Sequence, residues 1–159
     1  MTDAAGSPII YVDANPFIYL IEGEDAVATR LKLIFELLRQ RPGTAMTSEL
    51  TLAEVLPKAR PDARRNYFNL IVWSGVFDLQ PVTRDILVDT ADYRRATSRN
   101  LPDGRNVMLK IPDAIHVVTA IRNHCRMFLS ADGGLKVPDN MILLEPNDAG
   151  LAALTQVIV

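Results

Sequence analysis

The chain reads PIIYVDANP over residues 8–16. Its first five residues form a short apolar run, rich in β-branched side chains, that is typical of a buried strand in a parallel sheet. Asp13 ends this run, and Asn15 and Pro16 then suit the N-cap and the first position of a helix. A buried strand that leads directly into a helix indicates the first unit of an α/β fold.

Strands and helices continue to alternate along the rest of the chain. Apolar runs predict further strands at residues 44–47, 76–79, 127–130 and 141–144. Helical spacing and capping residues predict helices at 17–21, 24–41, 48–56, 61–75, 84–99 and 112–122, a loop at 101–105 and a weak helix at 148–159. We therefore expect an α/β fold whose central, mainly parallel sheet is covered by helices on both faces.

The composition is typical of a soluble globular protein. The chain has 159 residues, of which 48% are hydrophobic and 23% charged, so we expect a single domain over 1–159 with its core at about 9–144. One cysteine and two histidines are too few for a zinc site built from sulfur and nitrogen ligands. Residues 1–7 lack the basic residues of a secretory signal, and no apolar run is long enough to span a bilayer. We expect a cytoplasmic protein without membrane contact.

The formal net charge of −2 argues against a protein that binds nucleic acid through bulk positive charge. The charge is unevenly distributed, however. Residues 58–126 hold 12 basic and 7 acidic side chains, and the remaining residues hold 5 and 12. This pattern predicts a basic segment beside an acidic one, which is compatible with a local nucleic-acid surface.

Four acidic residues stand out, because they follow strands or interrupt an apolar helix: Asp13, Glu54, Asp113 and Asp132. Sites in parallel α/β folds form at the carboxyl ends of the strands. If the four carboxylates converge there, their mutual repulsion favours a bound cation. Hard oxygen ligands suit Mg²⁺, with Mn²⁺ as a second possibility. Such a site activates water against a phosphodiester.

Each of these acids also has a purely structural interpretation. Asp13 fits an Asx turn, Asp113 a helix cap and Asp132 a turn before two glycines. Glu54 can extend its carboxylate to solvent. Helix periodicity brings no two of the four together, so their convergence depends on the fold.

The order of these acids resembles that of the PIN-domain nucleases. The resemblance rests on four segments that occur in the family's order: Val12-Asp13-Ala14-Asn15, Thr47-Ser48 with Glu54 six residues later, Pro112-Asp113-Ala114-Ile115-His116, and Leu129-Ser130-Ala131-Asp132. It covers the chain from about Ile9 to Leu144. The length is similar to that of the VapC type, the toxins of type II toxin–antitoxin pairs.

This resemblance implies a three-layer α/β/α sandwich and metal-dependent cleavage of RNA. It implies that Asp13, Glu54, Asp113 and Asp132 are catalytic and hold Mg²⁺ or Mn²⁺, with Asn15 and Ser130 supporting them. It further implies a homodimer held inactive by a small antitoxin protein. The chain departs from a minimal member in its basic segment at 57–73 and in its tail beyond Glu145.

Arginine pairs bidentately with phosphate, so exposed arginines are candidate RNA contacts. The favoured candidates are Arg60, Arg64, Arg65 and Arg105. A second basic stretch also contains Arg84, Arg94, Arg95 and Arg99, but this stretch fits a solvated helix face with interspersed aspartates equally well. His116, three residues after Asp113, could serve as a ligand or base, but a packed or hydrogen-bonded helix histidine is the favoured interpretation.

Three functions remain to be compared. The first is a metal-dependent endoribonuclease, and the second is a non-catalytic module of the same fold that binds RNA or protein. The presence of all four acids favours the first. A phosphatase with an aspartyl nucleophile ranks last, because it calls for an Asp-x-Asp pair and the chain has Asp13-Ala14-Asn15.

Overall fold

The computed structural model describes residues 9–158. Residues 1–7, in which no secretory signal is expected, lie outside this range. Pro8, at the start of the first predicted strand, and Val159, at the end of the last predicted helix, lie outside it as well. No helix of the described residues has the length and apolar character needed to cross a membrane.

The strands and helices follow one another much as predicted. The strands are Ile10–Val12 (β1), Ala45–Ser48 (β2), Phe77–Gln80 (β3), Arg99–Asn100 (β4), Asn106–Val107 (β5), Met127–Leu129 (β6) and Ile142–Leu144 (β7). The helices are Ala14–Glu22 (α1), Ala26–Gln40 (α2), Leu50–Val55 (α3), Pro61–Ile71 (α4), Arg84–Ala96 (α5), Ile111–Arg122 (α6) and Asp148–Ile158 (α7).

Five strands form one parallel sheet in the order β3-β2-β1-β6-β7. The chain moves from β1 towards one edge through β2 and β3, and from β6 towards the other edge through β7. The strand order therefore reverses between β1 and β6, the place where parallel α/β sheets form a crevice at their carboxyl ends. Asp13 directly follows β1, and Ser130 directly follows β6.

Helices cover both faces of the sheet, which confirms the predicted three-layer α/β/α fold. Side chains alternate across β1, so that Ile10 and Val12 lie in the larger core with α1, α2, α4 and α7. Tyr11 faces the other way and packs in a second core with Phe128 and with residues of α6. The residues on both sides of β1 are fully buried.

The tail packs more closely than predicted. Leu154 and Ile158 of α7 are buried in the larger core, and Arg30 of α2 forms an ion pair with Asp148. The core therefore extends beyond the predicted limit near residue 144. Burying one leucine side chain stabilises a fold by roughly 1.5–3 kcal/mol, whereas an exposed ion pair contributes little.

Two local predictions are wrong. The predicted helix to about Arg99 ends at Ala96, and the loop at 101–105, which is present as predicted, joins β4 and β5 in an antiparallel hairpin that the sequence does not predict. The N-cap of α1 is Asp13, and Asn15 already lies within the helix. Asp13 takes the cap because its carboxylate accepts a hydrogen bond from the backbone N–H of Ala14, which leaves the Asn15 amide free to contact β6.

Candidate active site at the carboxyl ends of β1 and β6

Asp13 is a buried carboxylate held in place from two sides. Its Oδ1 accepts a hydrogen bond of 2.8 Å from the backbone N–H of Ala14, and its Oδ2 accepts one of 2.8 Å from the Ser130 hydroxyl. These two bonds fix the orientation of the carboxylate at the N-terminus of α1.

The Ser130 hydroxyl connects three groups of the site. It donates to Asp13 and accepts from the side-chain amide of Asn15 at 3.3 Å and from the backbone N–H of Asp132 at 3.1 Å. A hydroxyl has one donor and two acceptor positions, so Ser130 is fully satisfied. The Asn15 carbonyl in turn accepts from the backbone N–H of Ala131 at 2.9 Å. Asn15 and Ser130 thus tie the turn after β6 to the start of α1.

Glu54 lies on α3 and is oriented by His116 of α6. A hydrogen bond joins Oε1 of Glu54 to Nε2 of His116. The same nitrogen is 3.6 Å from Oδ1 of Asp13. His116 is completely buried, which agrees with the favoured interpretation of a packed, hydrogen-bonded histidine. It stands between two of the four acids.

Tyr11 completes this arrangement from within the sheet. Its hydroxyl is 2.5 Å from Nδ1 of His116. Burial, and next the nearby charge of Asp13, raise the pKa of Tyr11 well above its ordinary value. The phenol therefore stays protonated, and its hydroxyl contacts the ring nitrogen of His116 that faces away from Glu54.

Asp113 lies in the first turn of α6 and is half-buried. Burial raises its pKa above the ordinary aspartate value, and the charges of Asp13, Asp132 and Glu54 raise it further, while His116 opposes the shift. Asp113 thus experiences repulsion from each of the other three acids. The charges of the other three acids therefore all act on Asp113.

Asp132 is the most exposed of the four. Its Oδ1 accepts a hydrogen bond of 3.0 Å from the backbone N–H of Gly134, the turn contact that the structural interpretation anticipates. Within residues 9–158, no three Asp, Glu, His or Cys side chains already lie in the close grouping of a metal centre. Both Asp13 and Glu54 have carboxylate oxygens bonded to protein donors.

The candidate RNA-binding arginines Arg60, Arg64, Arg65 and Arg105 are all exposed. Arg60, at the start of α4, is 3.6 Å from Glu22, the last residue of α1. Because Asp13 precedes the first residue of the same nine-residue helix, about 13 Å of helix separates the two ends. Arg64 and Arg65 follow on α4, with Arg64 over the ring of Phe68 at 5.5 Å. Arg105, in the turn of the hairpin, pairs with Asp103.

Sequence reasoning missed Tyr11 as a site residue. Its position in an apolar strand indicates core packing, and its hydroxyl meets His116 only because β1 and α6 pack together across 105 residues of sequence. A tyrosine in the middle of an otherwise aliphatic buried run is the one available signal, since a buried phenol requires a hydrogen-bond partner.

The PIN domain family model matches residues 10–140 of the chain. No curated protein is significantly similar in sequence. Among solved structures, the chain is similar to the Mycobacterium tuberculosis toxin VapC20, which cleaves the sarcin–ricin loop, with 18% identity and a TM-score of 0.61 over 79% of this chain and 92% of that one.

Two solved complexes are similar as well. VapBC2 from Rickettsia felis, bound to a DNA fragment from its promoter, gives 16% identity and a TM-score of 0.62 over 86% of this chain and 97% of that one. FitAB bound to a DNA fragment gives 14% identity and a TM-score of 0.58 over 86% of this chain and 94% of that one. At these identities the likeness supports the fold that the sheet order already shows.

Proposed function

The chain belongs to the PIN domain family, and from that premise we propose that it is a divalent-metal-dependent endoribonuclease, the toxin of a type II toxin–antitoxin pair. The observation that carries this proposal is the effect on Asp113 of Asp13, Asp132 and Glu54, whose charges all raise its pKa. Four carboxylates that repel one another at the switch point of a parallel sheet are suited to a cation and a phosphodiester.

The donor set fits Mg²⁺ or Mn²⁺. It consists of carboxylate oxygens, which these ions prefer to nitrogen or sulfur. We propose Asp13, Glu54, Asp113 and Asp132 as the ligands. A bound divalent cation would neutralise this repulsion, lower the pKa of water and offset the charge of the phosphate.

The chain's own residues hold these carboxylates ready. Ser130 and the Ala14 backbone fix both oxygens of Asp13, so this acid cannot rotate away from the crevice. His116 orients Glu54 through one of its two carboxylate oxygens and leaves the other available. Asn15 keeps the turn that carries Asp132 against α1. Side chains held in this way need little rearrangement when substrate binds, which favours catalysis.

The toxin assignment is supported by the proteins of similar fold. VapC20 is a toxin that cleaves an RNA loop, and VapBC2 and FitAB are complexes bound to DNA. We propose that this chain likewise pairs with a small antitoxin that blocks the acids, and that it acts in the cytoplasm as a homodimer. Sedimentation of the purified chain, alone and co-expressed with the product of a neighbouring short gene, tests both associations.

The decisive experiment is cleavage of total RNA by the purified chain with Mg²⁺, Mn²⁺ or EDTA. We expect cleavage with either metal, none with EDTA, and a loss of at least about 100-fold in Asp13→Asn and Asp113→Asn. Expression of the wild type, but not of these variants, should arrest growth. Intact RNA under every metal condition, with normal growth, contradicts the ribonuclease.

One observation favours a non-catalytic module of the same fold. The bond between Glu54 and His116 occupies an oxygen of one proposed ligand. Such a module would bind RNA or protein with equal affinity whether or not the acids are present. RNA binding by the wild type without cleavage, unchanged in Asp113→Asn, would support it.

A further inference from the structure

A cavity of about 610 Å³ lies between the β4–β5 hairpin and the loop at 134–139. Tyr93 of α5 and Met108 contribute apolar surface, and Met108 is 44% exposed. The volume is within the range of pockets that hold small ligands or single nucleotides. The sequence predicts a helix over residues 84–99 on one side of it and does not predict the hairpin that forms another side.

The cavity has two cations on its rim. Arg99 comes from the hairpin and Lys136 from the opposite loop, and Asp139 is the one acid among its lining residues. Both cations are exposed, and neither forms an ion pair with any residue from 9 to 158. Arg105 of the same hairpin, in contrast, is paired with Asp103.

Two residues that line the cavity are linked to acids of the proposed active site. One wall includes Leu109, four residues before Asp113, and the carbonyl of Leu109 is held by the guanidinium of Arg94 at 2.7 Å. The other includes Gly134, whose backbone N–H donates to Asp132. Two of the four acids thus border this cavity through short stretches of chain.

We propose that this cavity binds single-stranded RNA beside the phosphate that is cleaved, with Arg99 and Lys136 on backbone phosphates and a base against Tyr93 and Met108. A cluster of four carboxylates repels a polyanion, so a ribonuclease needs cations close to it. Unpaired bases stack on aromatic and apolar side chains next to such cations. Arg60, Arg64 and Arg65 do not line this cavity.

This inference rests on the proposed ribonuclease function and is tested by binding. In an Asp113→Asn background, the fluorescence anisotropy of a short labelled single-stranded RNA is measured against salt concentration. Arg99→Gln combined with Lys136→Gln should weaken binding by about tenfold and make the slope of log K against log salt shallower by about 1.4, since each lost phosphate contact on a single strand contributes about 0.7. Arg64→Gln combined with Arg65→Gln is the matched control, because it removes two exposed arginines that do not line the cavity.

The outcomes separate the two proposals. Unchanged affinity and slope in the cavity variant, or a larger loss in the control, overturns the inference even if the wild type cleaves RNA. A wild-type chain that cleaves no RNA contradicts the ribonuclease itself. All four side chains are exposed, so both double variants should unfold at the wild-type temperature, which a thermal melt verifies.

Discussion

The hydroxyl of Tyr11 lies 2.5 Å from Nδ1 of His116, in a part of the molecule where both side chains are fully buried. This contact occupies one of the two ring nitrogens of His116. It therefore links a residue in the centre of the sheet to the carboxylate of Glu54, which His116 contacts with its other nitrogen.

We expect the hydroxyl of Tyr11 to donate to Nδ1, so that the neutral form of His116 carries its proton on Nε2. Long-range ¹H–¹⁵N correlation spectra distinguish this form from the Nδ1–H form and from the imidazolium. His124 is exposed and provides the reference in the same spectrum. A His116 with its proton on Nδ1 at neutral pH would show that the phenol does not donate to it.

Tyr11→Phe removes this donor without changing the ring. It leaves a buried ring nitrogen unpaired, which lowers the free energy of unfolding by about 1–3 kcal/mol. Tyr19→Phe is the control, since Tyr19 is 42% exposed and its change should be within about 0.5 kcal/mol. Chemical denaturation measures the change in the free energy of unfolding for both variants. Equal changes would show that the Tyr11 hydroxyl does not stabilise the fold through its contact with His116.

Asp113→Asn should stabilise the metal-free protein at neutral pH. The pKa of Asp113 is raised by burial and by Asp13, so the folded state binds this proton more tightly than the unfolded state does. The ionisation of Asp113 therefore lowers the free energy of unfolding, and this loss is complete above the folded-state pKa. The free energy of unfolding rises again as the pH falls through that pKa. Asparagine removes this cost.

Thermal melts in EDTA at several pH values check this prediction. The melting temperature of Asp113→Asn should exceed that of the wild type at neutral pH, and the difference should shrink on acidification. Asp92→Asn removes an exposed carboxylate of α5. Its melting temperature should match that of the wild type at every pH. A less stable Asp113→Asn at neutral pH would mean that the four acids do not repel one another.

Ser130→Ala tests the hydroxyl that holds Asp13. It leaves Asp13 Oδ2 and two N–H groups without a partner, so we expect unfolding to become easier by about 1–3 kcal/mol. RNA cleavage should fall even at temperatures where the variant is folded. Ser98→Ala removes a more accessible hydroxyl bonded to the Arg95 carbonyl, and should change neither quantity.

Leu154→Ala tests whether α7 belongs to the core. Leu154 is fully buried, and a cavity in its place should cost about 2–5 kcal/mol. Val157 on the same helix is 40% exposed, so Val157→Ala should cost less than about 0.5 kcal/mol. Similar melting temperatures for the two variants would show that the tail contributes nothing to the fold.

The strand alternation and the positions of Asp13 and Asp132 at strand ends are local features, and they can be read from the sequence. Convergence of the four acids cannot, because β1, α3, α6 and the turn after β6 meet only through the strand order. The contacts of His116 span 105 residues to Tyr11 and 62 to Glu54. The β4–β5 hairpin cannot be predicted from the sequence, because strands of two residues are too short to show an alternation of apolar and polar side chains.

The candidate RNA contacts likewise show that the sequence alone does not predict which residues lie together in the fold. Arg60, Arg64, Arg65 and Arg105 satisfy the sequence criterion of basic residues in a polar stretch. Three-dimensional placement separates them, because Arg60 pairs with Glu22 and Arg105 with Asp103. Arg99 and Lys136 stand 37 positions apart in the numbering, and only the packing of the hairpin against the 134–139 loop joins them.

The central claim is that the four carboxylates form one divalent-cation site, and calorimetric titration of Mn²⁺ tests it most directly. We expect saturable binding to the wild type at neutral pH and a loss of affinity of at least about tenfold in Asp13→Asn. Asp92→Asn should bind as the wild type does. Equal affinity in Asp13→Asn and the wild type, or no saturable binding to the wild type, would contradict the claim.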